Sequence, residues 1–256
     1  DLTLASTATG TIGGSLSDNY IPIGTASNTI GNFILGLTEN DSIYLGSNPE
    51  STTNTAQNNT ALGISALNDI TTGDNNVAIG IQAGQKTTTQ ERNTIMGVSA
   101  LRFASGSASY NVAIGYATMG ASDQEGSQNT AVGYYALSGA TGANAVTAVG
   151  HLAARDLTTG DSHVAIGKSA MLKVTTSSYN TVVGVDALSD VDGAGSTTAV
   201  GFGAMKYSSA DNATGIGQYA LSGATGDKNA ALGNSAGAKA KGSANSVMVG
   251  YQAGYH

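Results

Sequence analysis

From Asn59 onward the apolar positions of the chain fall into a short phrase, roughly Asn-Thr-Ala-Val-Gly-x-x-Ala-Leu, that recurs twelve times. Its central glycines are Gly63, Gly80, Gly97, Gly115, Gly133, Gly150, Gly167, Gly184, Gly201, Gly217, Gly233 and Gly250, at intervals of 16 to 18 residues. That period is too short for a helix-turn-helix unit and suits one coil built of two short strands and two turns. With each glycine as position 0, position −1 is Leu, Ile, Val or Met in all twelve coils, and −3 is Thr or Val in all but one, where Ala230 stands. Side chains alternate along a strand, so these two positions share one face, and the sequence predicts that this branched face packs between stacked neighbours.

The opposite face carries the glycine and position −2, which is alanine in eight of twelve coils. Such a bare surface suits close approach of another strand or another chain, as an internal packing surface or a subunit contact. Position +3 is alanine in eleven coils, with Thr118 the exception, and +4 is Leu or Met in eight, giving a second small apolar anchor. Asparagine opens seven coils at −4, from Asn59 to Asn229, and stacked in register its amides can form a ladder. Tyr135–Gly142 and Tyr219–Gly226 are the same eight residues, five coils apart, which points to duplication of a five-coil block. Residues 1–58 keep the period only in looser echoes at Ile23-Gly24, Leu35-Gly36 and Leu45-Gly46. The expected organisation is therefore an irregular N-terminal β cap or shaft joint over 1–58 and a repeat domain over 59–256.

Composition supports a rod over a globule. There are 36 glycines, no tryptophan, three phenylalanines and 11% charged residues, so large side chains that each contribute ~1.5–3 kcal/mol on burial are scarce. Repeat proteins answer this by stacking units, and thin fibres by packing several chains. The absence of cysteine excludes disulfides and thiolate metal sites, and the net charge of −7 removes the attraction for nucleic acid. No apolar run reaches the ~20 residues of a membrane helix, so membrane insertion is not expected. The chain opens at Asp1 without methionine, which suggests a processed product or an excised piece.

Chemistry is sparse. His163 takes the slot of the opening asparagine, His151 sits at +1, and His256 ends the chain, so a structural or solvated role is expected for the histidines. Gly215-Ile-Gly-Gln-Tyr-Ala220 mimics part of a dinucleotide fingerprint, but the next coil begins where that fingerprint needs a helix. Asp69, Asp74, Asp156 and Asp161 suit solvated turn caps better than a calcium site. Asp186, Asp190 and Asp192 form the densest acidic group but are spread over a turn, and no basic partner is expected nearby. No catalytic residue, metal ligand or cofactor is expected. The candidates for recognition are the aromatics at +1 and +2, namely Tyr116, Tyr134, Tyr135, Phe202, Tyr219 and Tyr251, with Tyr110, Tyr179 and Tyr207 at coil junctions. Tyrosine offers a flat apolar face and a hydroxyl, suited to sugars, protein surfaces or gaps between chains.

Asn76-Val-Ala-Ile-Gly80 and Asn111-Val-Ala-Ile-Gly115 resemble the repeat phrase of trimeric autotransporter adhesin heads, and Asn129-Thr-Ala-Val-Gly-Tyr-Tyr-Ala-Leu137 resembles the repeats of phage tail fibres and related trimeric bacterial fibres. The likeness covers residues 59–254. It implies an all-β, left-handed parallel β-roll assembled as a homotrimer, intertwined or side by side. It further implies a non-enzymatic, extracellular attachment fibre of a virion tail or cell surface, whose partner is a host or target cell-surface glycan or outer-membrane protein. Alternatives in the same frame are a bacterial or predatory-cell adhesin, a tailspike polysaccharide depolymerase and a passive spacer. The period here is longer than in the adhesin heads, and alanine replaces their closing serine in nearly every coil, which favours the fibre type.

Overall fold

The computed structural model describes residues 37–39, 41–46, 55–121 and 123–255. Among them are fourteen strands: β1 (Leu37–Glu39), β2 (Ser42–Leu45), β3 (Thr60–Leu62), β4 (Val77–Ile79), β5 (Thr94–Met96), β6 (Val112–Ile114), β7 (Thr130–Val132), β8 (Thr147–Val149), β9 (Val164–Ile166), β10 (Thr181–Val183), β11 (Thr198–Val200), β12 (Thr214–Ile216), β13 (Ala230–Leu232) and β14 (Val247–Val249). They pair in strict chain order, and no helix occurs among the described residues. β2 to β14 are parallel and in register, −3 on −3 and −1 on −1, while β1 folds back antiparallel on β2. One coil per strand at ~4.8 Å spacing makes a β-solenoid roughly 58 Å long. Leu45-Gly46 is thus a coil of the ladder, and Asn59 N–H already donates to Ser42 Oγ at 2.9 Å. The other two early echoes, and most of the expected cap at 1–58, lie outside the described residues.

Each coil holds one strand, not the expected two. The other limb also hydrogen-bonds from coil to coil, for example Leu67 N to Ala83 O at 3.0 Å and Leu137 N to Ala153 O at 2.9 Å. Its residues at +2 and +4, however, take positive φ, as in Ser65 (59°), Leu67 (47°), Tyr135 (51°) and Leu137 (51°), which takes the limb out of β geometry. A further residue at −5 is left-handed in every coil, including Tyr110 (62°) and Tyr179 (64°), and turns the chain into the next strand.

The alanine face takes the first of the two roles expected for it, internal packing, whereas the branched face, expected to pack between stacked neighbours, is the outer one. Position −2 points inward and is fully buried at Ala78, Ala113, Ala148 and Ala199, facing the buried +3 alanines and the +4 Leu or Met residues. The branched −3 and −1 side chains point outward, with Leu62 48%, Met96 44% and Ile216 39% exposed. The coil is so thin that alanine is the size that fits opposite leucine at native packing density. Deviations from alanine are matched by volume. Where −2 is Ile95, the +4 residue of the preceding coil is Gly84, whose missing Cβ would lie 2.7 Å from the Ile95 Cδ1. Where −2 is Gly215, the preceding +4 is Met205, and Met248 lies against Gly237 and Gly254. A third inward column at +7, which sequence reading missed, adds Ile70, Leu157 and Val174.

The glycines themselves form a column. From Gly63 to Gly233 each would place a Cβ 2.2–2.6 Å from the carbonyl oxygen of the next coil's glycine, at φ between +131° and +145°. Both the backbone angle and the space exclude a side chain.

Candidate functional site

Polar side chains inside the solenoid form a ladder at −4. Asn76 N–H donates to Asn59 Oδ1 at 2.9 Å, Asn93 N–H to Asn76 Oδ1 at 3.0 Å, Asn111 N–H to Asn93 Oδ1 at 2.9 Å and Asn129 N–H to Asn111 Oδ1 at 2.9 Å. Each amide nitrogen then donates to a turn carbonyl of the next coil, as Asn59 Nδ2 does to Gly73 O at 2.8 Å. Buried polar groups are thereby satisfied, so the asparagines fix coil register.

His163 stands in this ladder. Its Nδ1 accepts from Asn180 N–H at 3.2 Å, which leaves the proton on Nε2 to donate to Ser177 O at 2.7 Å. The imidazole is 1% exposed and must be neutral to make both bonds. Burial holds its pKa below the ordinary histidine value, against the opposing pull of the Ser177 carbonyl and the Asp161 charge. Linkage then gives the sign. With the folded pKa below 6.5, the unfolded chain binds more protons just under that pH, so stability is full above about pH 6.5 and falls as pH drops toward the folded pKa. His163→Asn restores the repeat residue and is expected to remove that loss. Tm measured from pH 7.5 down to 5 should fall more steeply in the parent chain; parallel curves would refute the assignment.

A second ladder at −6, unnoticed in the sequence, lies nearer the surface. Asp74 Oδ1 accepts from Gln57 N–H at 2.7 Å, Asp161 Oδ1 from Asn144 N–H at 2.8 Å and Asp227 Oδ1 from Asp211 N–H at 3.0 Å, while serines take the same role in other coils. The recurrence of Asp, Asn and Ser two residues before the −4 slot was its signal. These carboxylates are turn caps. Asp69 pairs with Lys86 at 2.7 Å and Asp156 with Arg155 at 2.5 Å. The cluster at 186–192 does have basic partners, contrary to expectation: Lys173 lies 2.8 Å from Asp190, and Lys206 lies 3.6 Å from both Asp186 and Asp190. Lys173 and Asp190 are neighbours because both occupy +6. Hydrogen bonding by Lys173 holds Asp190 below the usual carboxylate range. Among the described residues no three His, Asp or Glu side chains converge as a metal site. Nor is any helix of the described residues long and apolar enough to cross a membrane.

The six aromatic candidates fall into three places. Tyr116, Tyr134 and His151 occupy +1 in successive coils and stack, with centroids 5.5 Å apart at 14° and 5.2 Å apart at 6°. Tyr135 meets Tyr134 edge-on at 4.6 Å and Tyr116 at 5.6 Å. Phe202 and Tyr219 form an edge pair at 5.3 Å, with Gly203 leaving room for the Tyr219 ring. Tyr251 stands apart in the last coil, 75% exposed. No family model, curated protein or solved structure matches this chain. In the stack the ring faces of Tyr134 are covered by its neighbours, so the central ring presents its edge and hydroxyl to solvent. The Tyr135 hydroxyl titrates above its ordinary value, chiefly through Tyr116, and so stays a neutral hydrogen-bonding group. Tyr110, Tyr179 and Tyr207 are 50%, 68% and 57% exposed, with Arg92 over Tyr110 at 5.2 Å and Lys206 over Tyr207 at 5.4 Å.

Proposed function

We infer that the chain is a non-enzymatic segment of a homotrimeric attachment fibre, with the left-handed coil of the repeats it resembles, used at a virion tail or cell surface to hold a host or target cell. The observation that carries this reading is the outer sheet face. From β2 to β14 no −3 or −1 position is charged; branched residues such as Ile43, Leu62, Val77, Ile166 and Leu232 stand 36–52% exposed, and those of β6, β7, β8 and β11 are half-buried. The strip from −3 to −1 measures about 58 Å by about 10 Å, or roughly 600 Å² per chain. One partner in a standard stable interface contributes about 800 Å², so this strip supplies most of such a contact and leaves the +1 column beside it for other partners.

A rod of three chains supplies length, and three copies of each surface group supply avidity. The tyrosine cluster at Tyr116, Tyr134 and Tyr135 is the foremost contact surface on this reading. Labelled protein should bind at least one member of a panel of bacterial cells, and Tyr134→Ser with Tyr135→Ser should weaken binding roughly tenfold at unchanged mass. Binding that ignores these changes would favour a spacer role for the stack. Loss of viscosity in a bacterial polysaccharide solution would favour a depolymerase.

A further inference from the structure

Between Gly97 and Gly133 each coil is one residue longer than the usual 17, and a recess of about 480 Å³ lies on the turn flank there. The two 18-residue intervals of the middle coils run from Gly97 to Gly115 and from Gly115 to Gly133. Ala104, at +7 of its coil, bridges to Gln124, at +9 of the next, so the later coil carries two more residues ahead of the bridge. There Asp123 turns with φ 60°, and Gly106 in the coil before with φ 49°. Residues 103–106 and Asp123 line the recess together with the turn at 88–90. Extra residues in a solenoid emerge as loops on one flank, often the binding flank.

The recess has a fixed floor and a mixed lining. Gln90 Oε1 accepts from the N–H groups of Thr88 at 2.7 Å and Thr89 at 3.2 Å, and its Nε2 donates to Gly106 O at 3.1 Å. Ser107 Oγ donates to Glu125 O at 2.8 Å and ties the walls together. Phe103 is the aromatic wall, its ring carrying the Arg102 guanidinium at 4.8 Å. The lining also includes Thr89, Ser105, whose hydroxyl donates to Gln124 O at 3.5 Å, Asp123, and Lys86, which is already paired with Asp69 at 2.7 Å.

We propose that this recess is a carbohydrate subsite that takes a neutral saccharide of one or two rings. The volume lies within the range of small-ligand sites. One aromatic wall suits the apolar face of a pyranose, and hydroxyl, carboxylate and ammonium groups match its ring of donors and acceptors. A phosphate or other anion is disfavoured because Lys86 is neutralised by Asp69 and Asp123 adds a negative charge. A lipid chain is disfavoured because Phe103 is the only large apolar group of the lining.

The proposal rests on the attachment reading and names the chemistry it would recognise. Its test uses the purified chain and saturation-transfer NMR with the methyl glycosides of glucose, galactose, mannose, N-acetylglucosamine and N-acetylgalactosamine, together with maltose and lactose. At least one probe should bind, and Phe103→Ala and Asp123→Asn should each weaken it more than tenfold with Tm and mass unchanged. No transfer from any probe, or binding that survives both changes, overturns the site. Cell binding by the labelled chain without saccharide binding would sink the recess and leave the attachment reading standing. Saccharide binding in the recess with no cell bound would do the reverse.

Discussion

Gly150→Ala is expected to abolish cooperative folding of the central coils, whereas Gly250→Ala is expected to be tolerated. At Gly150 the backbone has φ +138°, and a Cβ would lie 2.5 Å from Gly167 O and 2.7 Å from its carbonyl carbon. Both contacts are with backbone, so relief requires the coils to move apart and give up ladder hydrogen bonds. Positive φ at a non-glycine residue costs ~1–3 kcal/mol, and the clash with the next coil adds to it, for an expected total of about 4 kcal/mol or more. Gly250 has a similar φ of +124° but nothing within 4 Å of its Cβ position. Its alanine variant therefore bears the conformational cost alone, ~1–3 kcal/mol. Denaturant unfolding of the two variants against the parent reads the difference. Equal losses would mean that the column's close approach contributes little.

The second large effect concerns assembly. Met96→Lys combined with Ile166→Lys places two ammonium groups on the outer face, on β5 and β9, roughly 19 Å apart at ~4.8 Å per coil. Both side chains point away from the coil interior, 44% and 39% exposed, so the chain should keep its fold and circular dichroism. In an assembled fibre each lysine would be buried against apolar neighbours without a partner, at a cost of several kcal/mol each. The expected result is a folded monomer, with the assembled species reduced more than a hundredfold. A double variant that still assembles like the parent would place the chain contact elsewhere. Loss of fold would contradict the outward orientation of these columns.

The glycine rhythm made the solenoid legible from sequence, and the asparagine slots made its internal ladder legible, including the place of His163. The orientation of the faces was legible only in part: internal packing was one of two roles open to the alanine face, and the outward turn of the branched face was not foreseen. Period-two alternation separates −1 and −3 from −2 and 0, but it does not say which pair points inward. Hydrophobicity favours Val and Ile for the interior; the thinness of the coil favours alanine, and volume decided. The single strand per coil was equally hidden, because Ser65, Leu67, Tyr135 and Leu137 carry no mark of the left-handed backbone they adopt. The Lys173–Asp190 pair becomes visible only when residues are aligned by coil, where both fall at +6. Of the aromatic candidates, the sequence placed Tyr116 and Tyr134 in one column. It did not show that their faces would be spent on each other and on His151.

The central claim is that the outer sheet face joins three copies of this chain. Its most direct test is the absolute mass of the purified protein by light scattering, across dilution and after mild heating in detergent. The account expects a heat-resistant species of three times 25.3 kDa. A folded species that stays at 25.3 kDa at every concentration would contradict it.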